Sequence, residues 1–445
     1  MPPFSESEAR ALLDRVMGLS QSEGCSADLQ ATRSGNIRFA RNAVSTSGIT
    51  DDATLTVQSR YGRKTGTAQV NQFDDESLTR TVRRAEELAR LAPEDPEVVP
   101  LLEPQRYAAV PAGFVDATAA VTPEFRADTA AASIAAARQQ SCVAAGYLVD
   151  AASWNATRNS RGLFGYYPDT TADYSITVRT ENGGGSGWGG QDVNDVRTLQ
   201  AESVARLATE KAAASRDVRA IEPGKYTVIL EPAASVDLIQ LLLFNNGARE
   251  ADEGRSYLTK AGGGTKLGQK LVDQRVTIYS DSASPELPCR PWDGEGLPRS
   301  RTPWIEKGVV RNLRYTRYWA EQKKKPATAQ PGNWIMEGGQ GSLEDLIRST
   351  DRGVLVTRTW YIREVDPQTL LYTGLTRDGT FFVENGRIAY AIKNFRFNES
   401  PVIMLNNLDA LAAPVRVQGS ETFGRVMVPP MRIRDFTFSS LSDAV

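Results

Sequence analysis

Apolar positions along the chain follow two alternating periods, and the switches between them mark its organisation. Behind Ser5 and Glu8, which fit the S-x-x-E capping box, Leu12, Leu13, Val16 and Met17 recur at helical spacing and predict a first amphipathic helix. The pattern then becomes strand-like through IRFARN and GITDDATLTVQSRYGRKTGTAQ. It turns helical again in SLTRTVRRAEELARL, where Leu78, Val82, Ala85 and Ala89 share a face. A proline-rich stretch follows, APEDPEVVPLLEPQRYAAVPAG, with five prolines in 22 residues, which reads as an extended linker or a segment wrapped on the surface.

The second block opens with Thr122 as an N-cap and Pro123 at the first helical position, leading EFRADTAAASIAAARQQ. YLVDAASWNATRNSRGLFGYY and ADYSITVRT, with Tyr174, Ile176 and Val178 on one face, predict antiparallel strands. ENGGGSGWGG reads as a glycine-rich turn beyond them, and TLQAESVARLATEKAAA as a closing helix. The third block, from IEPGKYTVIL onward, is a succession of short strands: WIEKGVVRNLRYTRYW, GVLVTRTWYIREV, GTFFVENGRIAYAIKNFRF and GRVMVPPMRIRDFTF. One helix stands out within it, started by Pro232 and stopped by Asn245-Asn246-Gly247, with Val236, Ile239, Leu242 and Leu243 as its buried face. The expected fold is therefore α+β. An N-terminal α/β domain with its linker (1–110) and a second α+β segment (120–219) precede a β-rich C-terminal domain (220–445).

Composition changes this picture in two ways. Fifty-two basic against fifty-four acidic side chains give a formal charge of -2, so no positive field gathers nucleic acid or anionic lipid. More decisive, the 445 residues contain no histidine, which excludes Ser-His-Asp triads, Cys-His dyads and imidazole-ligated metals in any fold. Carboxylates, or a Ser-Lys pair, are what a hydrolase built from this chain could use. Cys25, Cys142 and Cys289 are odd in number and far apart, which argues against a disulfide framework and a cysteine-rich zinc site, and Cys142 is expected as a buried small hydrophobe. The opening MPPFSESEARALLDRV has no apolar core of signal-peptide length and no window approaches 18 apolar residues; the expectation is a cytoplasmic protein with no membrane partner.

Three short patterns are candidate sites. GGGTKLGQK fails as a phosphate loop, since Gln269-Lys270 stands where Lys-Ser/Thr is required, and a surface loop is expected. In LRYTRYWAEQKKK, basic residues alternate with Tyr315, Tyr318 and Trp319, but on a near-neutral chain this reads as solvated surface rather than a nucleic-acid platform. The pairs Asp51-Asp52, Asp74-Asp75 and Glu344-Asp345 are expected at turns or helix starts.

The phrases KLGQKLVDQRVTIYSD, WDGEGLPRSRTPWIEKGVVRNLRYTRYWAEQ and RDGTFFVENGRIAYAIKNFRFNESPVIMLNN, with NIRFARN and YGRKTGTAQVNQFDDESL upstream, resemble the TldD/PmbA family. Its members were once called modulators of DNA gyrase and are regarded as subunits of a zinc metalloprotease. In TldD-like subunits H-E-x-x-x-H lies at a strand-to-helix junction, and a cysteine near the C-terminus completes the zinc site. Laid on this sequence, that pattern falls on Glu231, Pro232 and Val236, with Gln418 at the cysteine's place. The resemblance thus implies a TldE/PmbA-like subunit with no catalytic or metal-ligating residue of its own. It would complete a hetero-oligomeric chamber for unfolded or short peptides, while a histidine-bearing TldD-like partner supplies zinc. A histidine-independent hydrolase and a stand-alone homo-oligomeric peptide-binding or scaffold protein are the alternatives.

Overall fold

The computed structural model describes residues 4–421 and 424–443. Among these, residues 4–216 build one six-stranded sheet covered by four long helices. The strands are β1 (Gly24–Ala40), β2 (Ala43–Tyr61), β3 (Lys64–Val70), β4 (Cys142–Asn159), β5 (Phe164–Thr180) and β6 (Ser186–Val193), in the order β3-β2-β1-β4-β5-β6. Every neighbour is antiparallel. The sheet therefore runs across the boundary expected between residues 110 and 120, because β1 of the first block pairs with β4 of the second from Ser26↔Asn159 to Phe39↔Gly146.

The helices are α1 (Glu6–Leu19), α2 (Asp75–Leu91), α3 (Pro123–Gln139) and α4 (Ala201–Ala214). Their starts follow the local chemistry. Ser5 and Glu8 form the reciprocal capping box, Asp74 accepts from Ser77 N–H, and Thr122 accepts from Phe125 N–H ahead of Pro123. Leu12, Leu13, Leu78 and Val82 pack with Cys25, Leu29, Leu55 and Val57 at one end of the sheet. At the other end Ile134, Ala205, Ala208 and Ala212 pack on Phe39, Tyr174, Ile176 and Val178. All these strand residues lie on one face, since side chains alternate along a strand. The opposite face carries Thr32, Ser34, Ser153, Asn155, Thr171, Asp173 and Ser175, partly exposed and without a helical cover.

Two segments of this first sheet depart from the sequence expectation. SGWGG is the core of β6 rather than part of a turn, because α4 packs so closely that only glycine fits: a Cβ on Gly187 would stand 2.0 Å from Ala208 O. Asp51 and Asp52 lie inside β2, whose residues 43–52 are exposed throughout and have a strand neighbour on one side only, so carboxylates are tolerated there.

The proline-rich stretch wraps the surface. It is tied down by Arg249 Nη1 to Glu97 at 2.7 Å, Asn159 Nδ2 to Leu102 O at 2.8 Å and Tyr107 Oη to Gly296 O at 2.8 Å. In the C-terminal part β7 (Gly224–Leu230), β8 (Arg352–Asp366), β9 (Leu371–Glu384), β10 (Phe395–Glu399) and β11 (Met431–Leu441) run in the order β8-β7-β11-β10-β9. Because β8 also pairs with β9, these five close into a ring. A second six-stranded sheet is assembled from 278–280, 302–306, 309–310, 333–336, 415–417 and 425–428. Tyr318 and Trp319, expected in a strand, sit in a short helix, Arg317–Lys323, started by Thr316 and ended by Lys324 in the left-handed conformation. Both sheets pack on α5 (Pro232–Phe244), whose residues are buried nearly all round, including Ser235, Asp237 and Gln240. No helix among the described residues is long and apolar enough to cross a membrane.

Replacing Gly187 by alanine is expected to force α4 off the sheet and to cost about 2 kcal/mol, measured by urea denaturation of the two proteins. An unchanged midpoint would show that this contact is slack.

Candidate functional site

The junction between β7 and α5 forms because Val228, Ile229 and Leu230, all fully buried, end a central strand, and Pro232 then supplies a preset φ at the first helical position. Glu231 is the hinge residue. Its N–H donates to Val356 O at 3.0 Å and its carbonyl accepts from Ala234 N–H at 2.8 Å. Its carboxylate does not cap the helix; it accepts from Lys211 Nζ of α4 at 2.7 Å. The two side chains are 12% and 11% exposed, so this is a nearly buried ion pair joining the helical layer of the first sheet to the C-terminal core. Val236, five residues on, is fully buried in the apolar cluster with Leu230, Ile239 and Leu242.

Gln418 belongs to a loop anchored on the same helix. Asp237, fully buried, accepts Ser420 N–H at 3.0 Å and Glu421 N–H at 3.2 Å. Glu421 in turn accepts Tyr361 N–H at 2.7 Å and Arg363 Nη1 at 2.9 Å, holding Tyr361 at φ 55, a left-handed backbone that bulky residues avoid. Gln418 itself turns away from α5 and donates through Nε2 to Asp173 Oδ1 of β5 at 2.9 Å.

Charged pairs lock the rim of the first sheet to this loop, and a serine–aspartate hydrogen bond ties it to the ring. Arg416 Nε donates to Asp192 Oδ2 at 2.5 Å, Arg425 bonds Asp169, and Asp378 accepts Ser186 Oγ at 2.7 Å and Arg358 Nη1 at 2.8 Å. Burial and the like charge of Asp192, only partly offset by the Gln418 amide and the arginines, push the Asp173 carboxyl up to about 6.

Three domain models match along the chain: PmbA/TldA metallopeptidase domain 1 over residues 25–89, the central domain over 117–216 and the C-terminal domain over 223–440. The chain belongs to the PmbA/TldD metallopeptidase family. Metalloprotease PmbA of Escherichia coli O157:H7 is 21% identical over 438 residues, covering 93% of this chain and 92% of that protein. The PmbA homolog of Buchnera aphidicola is 25% identical over 194 residues, 40% of this chain and 43% of its own length. In fold, the chain resembles TldE from Thermococcus kodakarensis, with a TM-score of 0.86 at 18% identity and coverage of 97% of this chain and 99% of that one.

The residues at the positions where the family resemblance places zinc ligands do not fit a zinc ion. Glu231 is committed to Lys211, Pro232 and Val236 carry no donor atom, and the Gln418 amide serves Asp173. No histidine exists to replace them, and among the described residues no group of three or more His, Cys, Asp or Glu is clustered to hold a metal. The phosphate-loop imitation at 262–270 is a turn-rich loop with Gly262, Gly263, Gly264 and Gly268 at positive φ, as expected. Trp319 of the basic run donates its indole N–H to Asp252 at 2.8 Å, and Tyr315 is buried, so neither ring is free to stack on a base. Cys142 is buried.

Sequence reading missed Lys211, Asp237 and the Asp173–Asp192 pair. Lys211 lay within a predicted helix with nothing to mark its partner, 20 residues on. Asp237 offered one signal: a carboxylate inside an otherwise apolar helical face.

Lys211→Met leaves Glu231 as an uncompensated, nearly buried carboxylate and is expected to cost about 3 kcal/mol, with the Lys211→Met/Glu231→Leu double variant recovering most of it. Chemical denaturation of the wild type, both single variants and the double variant measures the coupling; additive losses would dissolve the pair.

Proposed function

We propose that this chain is the non-catalytic, TldE-like subunit of a hetero-oligomeric zinc metalloprotease acting on unfolded or short peptides. The observation that carries the reading is the junction itself, where a Lys211–Glu231 ion pair and a core valine stand at the places of the family's metal ligands. Zinc and bond cleavage then belong to a histidine-bearing, TldD-like partner. The helix-free face of the first sheet, rich in serine, threonine and asparagine, supports a role as one wall of a peptide chamber, where extended backbone finds hydrogen-bonding groups.

A second reading, a stand-alone homo-oligomeric scaffold, draws on one feature. The outer edge of β2 over residues 43–52 is exposed and carries neither lysine nor proline to discourage pairing with another strand.

Co-expression with a histidine-bearing paralogue decides between them. The expected result is a co-purifying complex that cleaves an unfolded peptide, with this chain alone inactive. A stable homodimer that ignores the paralogue favours the scaffold, and peptide turnover by the isolated, metal-stripped chain overturns the reading in favour of a histidine-independent hydrolase.

A further inference from the structure

Between the first sheet and the loop that carries Gln418 lies a cavity of about 350 Å³, lined by Thr171, Asp173, Asp192, Arg416, Gln418 and Arg425. Its charges do not balance. The strand register sets Asp173 directly opposite Asp192, an arrangement that like charges disfavour. The two guanidinium groups are already engaged: Arg425 with Asp169, and Arg416 with Asp192 Oδ2 and, through Nη1, with Asn194 Oδ1 at 2.6 Å. Asp173 is left with the neutral Gln418 amide. Counting Asp169, which holds Arg425 from outside the lining, three carboxylates are set against two cations.

Two further atoms are unsatisfied. Asp192, with its side chain only 9% exposed, has no hydrogen-bond partner for Oδ1, and Arg416 has none for Nη2, among the described residues. Buried polar atoms are rarely left so, because each forfeits its hydration without replacement. The cavity therefore lacks one cationic donor for the carboxylates and one neutral acceptor for the guanidinium. A peptide's first residue carries both groups, an α-ammonium and, three bonds away, a carbonyl oxygen. A lysine side chain offers the first without the second.

We propose that this cavity binds the free amino terminus of a peptide, the ammonium satisfying Asp173 and Asp192 Oδ1 and the first carbonyl oxygen satisfying Arg416 Nη2. This rests on the peptide-chamber reading and deepens it: the subunit selects and orients substrate by its amino end, close to the loop anchored on α5.

Calorimetric titration of the full-length chain tests it with three probes: tetra-alanine, N-acetyl-tetra-alanine, and an N-acetylated form with lysine first. The free-amine peptide is expected to bind about tenfold or more tighter than either acetylated peptide, as one desolvated charge pair allows. In Asp173→Asn, which keeps the acceptor for Gln418, that preference collapses to about twofold or less, while an unchanged far-ultraviolet circular dichroism spectrum confirms the fold. Equal binding of free and acetylated peptides, or a preference that survives Asp173→Asn, overturns the proposal. Tight binding of the acetylated lysine peptide overturns the amino-terminal assignment in favour of a side-chain amine. Because the titration needs no partner, a failure to assemble with a paralogue leaves this result standing, and an active complex indifferent to acetylation leaves the subunit reading standing.

Discussion

The ion pair between Lys211 and Glu231 is the contact on which the molecule's arrangement turns. It lies where the helical layer of the first sheet meets the junction of β7 and α5, and both of its members are nearly buried. A carboxylate in such a place is costly unless a cation meets it, so the position of α4 and the start of α5 are fixed together. The same junction is where the family resemblance places a metal. In this chain the electrostatic demand of Glu231 is met by an ammonium group from within, and the remaining positions are given to helix initiation and to the apolar core.

Around that contact polar and charged groups join the two halves. Asp169, Asp173 and Asp192 of the first sheet meet Arg425, Gln418 and Arg416 of the loop, and Asp378 of the ring meets Ser186 and Arg358. Asp237, buried in α5, holds the loop by its backbone N–H groups, and through Glu421 the loop holds Tyr361 in an unfavourable backbone conformation. Sheet rim, loop and helix are thereby positioned as one unit, with a charge-deficient cavity between them. The helix-free polar face of the first sheet leads away from this cavity.

Much of the fold was legible because it rests on local rules. The caps at Ser5, Asp74 and Thr122, the proline starts at Pro123 and Pro232 and the alternation around Tyr174 each act within a few residues. Illegible parts depend on distant neighbours. SGWGG reads as a turn until α4 is seen to press on it, and Asp51-Asp52 reads as a turn until β1 is laid beside it. The site divides in the same way. Missing histidine and the substitutions at Glu231, Pro232, Val236 and Gln418 can be read from residue types alone. The partners of Glu231 and Gln418, Lys211 and Asp173, come from different elements, and no spacing announces them.

The most direct test of this account is zinc counting on the purified chain, by equilibrium dialysis against micromolar Zn²⁺ followed by elemental analysis. The account predicts far less than one zinc per chain, with Glu231→Gln making no difference to the amount retained. One tightly held zinc per chain, lost in Glu231→Gln, would contradict it.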